Sequence, residues 1–180
     1  MFLRRTRVEP LPVTMSAVRM GERVLQVGVD DAAIASAIAA KAGLSGNAAL
    51  AVSNERDAAR AQRAFTNAGI LVDVKITPLT TLPFESDTFD LVVVHASHAS
   101  VSIEAMRECH RVLRRGGRAM TIEGGGPATG LAAMFKTQKP LEGDVVGLLG
   151  TAGFRSARLL AEREGYRFAE GFKTAEGIKP

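Results

Sequence analysis

The chain has no tryptophan, one tyrosine and one cysteine. Each scarcity removes a class of function. Single-stranded nucleic acid is usually held on aromatic faces interleaved with basic residues. Aromatics make up only 5% of this chain and no basic stripe carries them, so nucleic-acid binding is not expected. Cys109 stands alone, which excludes an intramolecular disulfide and a cysteine-based zinc cluster. A buried thiol in a reducing compartment is the expectation. Nothing approaches the ~18 uninterrupted apolar residues of a membrane span. The opening "MFLRRTR" lacks the long apolar run that a signal peptide needs after its arginines. A soluble, cytoplasmic protein follows, with no membrane partner. His95 and His98 have too few carboxylates near them in sequence to suggest a metal site, and none is expected.

Against these absences stand 46% hydrophobic residues in a chain of 180, enough for one domain with a real core. The excess of 23 Lys+Arg over 19 Asp+Glu gives +4, with the first residues carrying much of it as a solvated tail.

Residues 1–22 read as an extended lead-in, since Pro10 and Pro12 oppose a helix. From residue 23 on, apolar runs alternate with helical patterns. "RVLQVG" (Arg23–Gly28) is a short buried strand, and Asp31 caps an alanine-rich helix that stops at Gly43. "AALAV" (Ala48–Val52) is the second strand. Asn54 opens a helix from Glu55 to Ala68, with Ala58, Ala61, Phe65 and Ala68 inward. "LVDVKI" (Leu71–Ile76) alternates like an edge strand, and "FDLVVVHA" (Phe89–Ala96) reads as a central one. Ile103, Met106, His110 and Leu113 share a helix face, Arg107, Arg111 and Arg114 point outward, and Gly116-Gly117 end that helix. "RAMTIE" (Arg118–Glu123) follows as a strand. Residues 124–141 read as a mobile connector, then come a weak helix from Glu142 to Ala152 and a closing antiparallel hairpin.

Strand–helix alternation predicts a parallel sheet with right-handed crossovers and helices on both faces. Ligands of such folds sit beyond the carboxyl ends of the strands. Gly28–Asp31, Ser53–Glu55, Thr77–Leu82 and His95–His98 should therefore border one crevice. His95 and His98 are candidates for a general base there, and Glu123 borders the same space. A nucleotide-dependent oxidoreductase is disfavoured, because "GVDDAA" does not supply Gly-x-Gly-x-x-Gly.

Three segments carry a resemblance. "GERVLQVGVDD", "LPFESDTFDLVVVHAS" and "ECHRVLRRGGRAMTIE" resemble the first motif, the approach to the fourth strand, and the Arg-Val-Leu-x-x-Gly-Gly segment with fifth strand of the class I S-adenosylmethionine-dependent methyltransferases. The likeness covers roughly residues 20–173. It implies a three-layer, Rossmann-like α/β fold: a mostly parallel seven-stranded sheet with an antiparallel C-terminal hairpin, residues 23–180 forming one domain. It implies S-adenosylmethionine as cofactor and a small-molecule methyl acceptor, with transfer by in-line displacement. Carried over position by position, it implies cofactor contacts at Gln26, Gly28, Asp30, Ser53, Asn54, Glu55, Leu79 and His95.

Several of these depart from the family pattern. Gln26 stands at an acidic position, and Asp30 and Ala32 stand where further glycines would be. Ser53 replaces the ribose-binding carboxylate, and Pro78 replaces an adenine-binding aspartate. Charge-assisted bonds are worth about 1.5–3 kcal/mol each, so losing two or three weakens binding by about 3–6 kcal/mol. Two functions follow from this: a methyltransferase with an altered cofactor site, or a catalytically inactive protein of the same fold that serves as a binding or scaffold partner, alone or in a homo- or hetero-oligomer.

Overall fold

The computed structural model describes residues 9–43, 47–96, 102–125 and 144–174. Helix α1 (Leu11–Ser16) leads into strand β1 (Val24–Val27), α2 (Ala32–Ala42), β2 (Ala48–Val52), α3 (Glu55–Ala68) and β3 (Val72–Ile76). Then come β4 (Phe89–His95), α4 (Ile103–Val112), β5 (Leu113–Gly124), α5 (Val145–Thr151), β6 (Arg155–Arg163) and β7 (Tyr166–Phe172). Residue 98 and most of the expected connector, 126–141, lie outside the described residues.

The strands form one seven-stranded sheet in the order β3-β2-β1-β4-β5-β7-β6. β1 to β5 run parallel, while β7 is antiparallel to both β5 and β6. The expected fold class is therefore present. β1 and β2 are buried along their whole length, and β4 nearly so, because helices cover both faces. Neighbouring residues of β1 feed opposite layers. Leu25 and Val27 pack with Met106, Cys109 and Leu149 from α4 and α5. Val24 packs with Val13 of α1 and Ile38 of α2. Burial pushes the Cys109 thiol up to about 12, so it behaves as an apolar filler.

The winding direction changes at β1. The chain steps from β1 to β2 and β3 on one side, then crosses to β4 and β5 on the other. Crevices for ligands form at such a reversal, above the carboxyl ends.

Local details correct the sequence reading in four places. Residues 11–16 are helical, not extended. Pro10 is the N-cap and Pro12 lies in the first turn, where a missing N–H leaves no intrahelical bond unmade. α4 stops at Val112, because Leu113 is already extended and pairs with Phe89. Gly116-Gly117 therefore lie within β5. A Cβ on Gly117 would stand 2.9 Å from the Asp90 and Arg114 carbonyls, so close backbone approach requires the glycine. Ala68 is exposed, beyond the buried stripe of Ala58, Ala61 and Phe65. Arg111 does not point outward. Its guanidinium donates to the Leu82 and Phe84 carbonyls at 3.0 and 2.9 Å and pairs with Glu108. Glu108 in turn accepts from the Leu82 N–H at 2.8 Å. This pair ties the Leu82–Phe84 turn to α4.

Candidate functional site

Parallel register sets the site. Val27 is opposite Ala51 on one side and Val94 on the other. The next residues, Gly28 just after β1, Val52 at the end of β2 and His95 at the end of β4, thus stand at the same level. Gly28 N–H donates to the Ala51 carbonyl at 2.8 Å, and Thr77 N–H to the Val52 carbonyl at 2.9 Å. The turns after β1, β2 and β3 and the carboxyl end of β4 are brought to one edge of the sheet.

Gly28 has φ +74°, a left-handed conformation that side chains rarely adopt. A Cβ there would also stand 3.0 Å from the His95 carbonyl oxygen. The turn therefore passes directly over the end of β4, and only glycine permits it.

Beneath the turn is a buried polar chain that sequence reasoning missed. Gln26 is fully buried, and its Nε2 donates to the Ala35 carbonyl of α2 at 2.8 Å. That bond orients the amide so that Oε1 faces His95 Nε2 at 2.9 Å. Because an amide oxygen only accepts, this network assigns the His95 proton to Nε2. His95 is the last residue of β4, 3% exposed, rather than past its end. Burial pushes its pKa down to about 4, against a smaller opposing pull from Asp30 and Asp31. The imidazole is neutral at pH 7. Gln26 thus links β1, β4 and α2 from below and presents neither end of its amide to the crevice.

The rim is acidic. Asp31 caps α2, accepting from Ala33 and Ile34 N–H at 2.7 and 3.3 Å. Asp30 lies beside it, half-buried. Arg60 of α3 reaches across and donates to the Val29 carbonyl at 2.7 Å and the Asp30 carbonyl at 3.3 Å. It pairs with Asp57 at 3.0 Å on its own helix. The i,i+3 spacing of Asp57 and Arg60 was visible in the sequence, but the reach to another turn was not. Asn54 is engaged in capping: Oδ1 accepts from Asp57 N–H and Nδ2 donates to Asp57 Oδ2, both at 2.9 Å. Ser53 and Glu55 on either side of it are exposed. Leu79 packs half-buried against the core, held by a turn in which Thr77 Oγ1 donates to the Thr81 carbonyl at 2.8 Å. Glu123, at the end of β5, is engaged by Arg167 of β7. No cluster of three or more metal-ligating side chains occurs among the described residues. No described helix is long and apolar enough to cross a membrane.

Comparisons with known proteins agree with this geometry. A family model described as a methyltransferase domain matches residues 25–121. A ubiquinone/menaquinone biosynthesis C-methyltransferase of Hydrogenovibrio crunogenus is 32% identical over 115 residues, covering 62% of this chain and 45% of the relative. The chain spans about half the length of the curated relatives it matches. Among solved structures, an S-adenosylmethionine-dependent methyltransferase of Aquifex aeolicus superposes with TM-score 0.69 at 16% identity, over 90% of this chain and 87% of that one. A Haloferax volcanii methyltransferase, solved with the Trm112 methyltransferase activator, gives 0.66 at 12% identity over 93% and 89%. At these identities the structures speak for the fold.

Proposed function

This chain belongs to the methyltransferase domain family, and from that premise we propose that it transfers a methyl group to a small-molecule acceptor. Membership implies S-adenosylmethionine as the cofactor. The residues at the crevice suit such a group. Gly28 leaves backbone, with no side chain, at the switch point. The carboxylates of Asp30, Asp31 and Glu55 supply negative charge for a molecule bearing a sulfonium and an ammonium. Ser53 and Glu55 are the exposed polar groups after β2 for the ribose hydroxyls, and Leu79 is the apolar surface for the adenine. Bound there, the cofactor supplies a methyl carbon already activated for displacement by its positive sulfur.

The protein's share is placement. Holding two reactants in line converts a bimolecular step into an effectively unimolecular one, which can account for about 7–11 kcal/mol of barrier. The Gln26–His95 link and the Arg60 clamp fix the turns that do the holding. His95, with a pKa near 4, is a weak proton acceptor at pH 7, so its part in this reading is to shape the site. The curated relatives are ubiquinone/menaquinone biosynthesis C-methyltransferases, and by analogy the acceptor here is a carbon of a quinol-type ring. Such an acceptor would activate itself by ionising a ring hydroxyl and would need no strong base from the protein.

The observation that carries the reading is the convergence of the turns after β1 and β2 and the end of β4 around a glycine with φ +74°. The scaffold reading draws on a different one: Gln26 and Asn54, at two of the expected contact positions, are engaged within the protein. Incubation with methyl-labelled S-adenosylmethionine and a panel of phenolic and quinol acceptors tests the choice. Labelled product together with S-adenosylhomocysteine supports the enzyme. Cofactor binding with no turnover on any acceptor favours the scaffold.

A further inference from the structure

Among the described residues β3 is the last strand on its side of the sheet, paired only with β2. Natural edge strands are usually kept from pairing with other chains. This one carries exposed apolar groups, Ile76 at 54% and, just before it, Leu71 at 72%. Its sequence has a further property. Val72-Asp73-Val74-Lys75-Ile76 is complementary to itself when reversed.

We propose that β3 is a dimerisation edge, joining two copies of this chain in an antiparallel pair with Val74 on the two-fold axis. In that register Asp73 stands opposite the partner's Lys75, and Lys75 opposite the partner's Asp73. Val72 meets the partner's Ile76. One contact type occurs twice, as an isologous interface requires.

The backbone selects the same register independently. Thr77 N–H donates to the Val52 carbonyl, and Ile76 is the residue in register with Val52. By the alternation of a strand, residues 73, 75 and 77 turn their backbone groups toward β2, and residues 72, 74 and 76 turn theirs outward. An antiparallel partner centred on Val74 meets those outward groups: Val74 exchanges both bonds with the partner's Val74, and Val72 does so with the partner's Ile76. Asp73 and Lys75 then fall in the non-hydrogen-bonded pairs, where opposed side chains come closest. Moving the axis by two residues either way loses both ion pairs.

The side chains are free to do this. Asp73 and Lys75 now pair within the strand at 2.9 Å, with side chains 55% and 43% exposed. On the other face, Val72 and Val74 pack with Phe65 of α3. A partner strand would extend that apolar strip through Ile76. The surface is the outer edge of β3 and uses none of the residues assigned to the cofactor, so its test does not depend on cofactor binding.

A five-residue edge makes a small interface, and affinity in the range of roughly 1–100 μM is expected. Sedimentation velocity on the full chain from about 0.5 to 500 μM reads it, spanning that range. The wild type should pass from monomer to dimer. Lys75→Asp turns two attractive pairs into two repulsive ones and should weaken dimerisation by at least about tenfold. The swap Asp73→Lys with Lys75→Asp restores opposite charges across the axis and should restore the wild-type equilibrium. Circular dichroism checks that each variant is folded. A wild type that stays monomeric throughout overturns the proposal and leaves the charges as a guard against pairing. So does a folded Lys75→Asp variant that dimerises like the wild type, or a folded swap that does not.

Discussion

Acid should destabilise this protein earlier than its carboxylates alone would cause, and His95 is the reason. In the unfolded chain its imidazole takes up a proton near pH 6.5. In the folded protein burial holds that event down to about 4. Between those values the unfolded state binds one more proton than the folded state, so stability falls as pH falls. The gap is about 2.5 pH units, and each carries about 1.4 kcal/mol, so the full loss is ~3 kcal/mol. That is a large part of a typical 5–15 kcal/mol. Glu108 works in the same direction but later: its bond with Arg111 holds its carboxyl below the ordinary value of 4.5, and its contribution is lost only below that. His110, half-buried against Phe154, is also held below its ordinary value of 6.5 by burial and adds to the slope just below that pH. A comparison isolates His95. Urea unfolding is measured from pH 7 to pH 4.5 for the wild type and for Gln26→Leu with His95→Leu, which removes the buried pair together. The Ala35 carbonyl lies inside α2, where helical bonding still serves it. The wild type should lose about 2–3 kcal/mol more than the variant over this range. The His95 ring resonances of the wild type should also fail to titrate above pH 5. Coincident pH slopes, or a His95 titration near pH 6.5, would refute the argument.

Other substitutions read separate links of the structure. Glu108→Ala removes the partner of Arg111 and of the Leu82 N–H, and a loss of about 1–2 kcal/mol is expected by thermal unfolding, allowing for partial exposure. Asp31→Ala removes the α2 cap and should cost about 1 kcal/mol, read in the same way. Arg60→Met keeps an unbranched apolar stem but removes the guanidinium that holds the Val29 and Asp30 carbonyls. It should weaken S-adenosylhomocysteine binding severalfold in a calorimetric titration while moving the midpoint of unfolding little, since the arginine is exposed.

The sequence made the repeating elements visible and left the long-range ties hidden. β1, α2, β2 and α3 were legible because each has a short apolar run or a 3.6-residue stripe, followed by a cap such as Asp31 or Asn54. The Arg-Val-Leu-x-x-Gly-Gly segment located β5, although the glycines serve close packing against Asp90 and not the end of α4. α1 was misread because proline was weighed as a breaker without regard to its place in the first turn. Gln26 and His95 are 69 positions apart, and nothing local marks them as partners. Arg60 and Arg111 look like solvated charges on a helical wheel, yet each reaches backbone carbonyls of a distant turn. Contacts of that kind depend on the sheet order, which must be known first.

The central claim is that the turns after β1 and β2 and the end of β4 form a working cofactor site around Gly28. Calorimetric titration of the wild type and of Gly28→Val with S-adenosylmethionine tests it most directly. Saturable binding by the wild type, lost when valine is forced into a left-handed turn 3.0 Å from the His95 carbonyl, is the predicted result. No heat at about millimolar cofactor, an affinity of roughly −4 kcal/mol, or equal binding by both proteins, would contradict it.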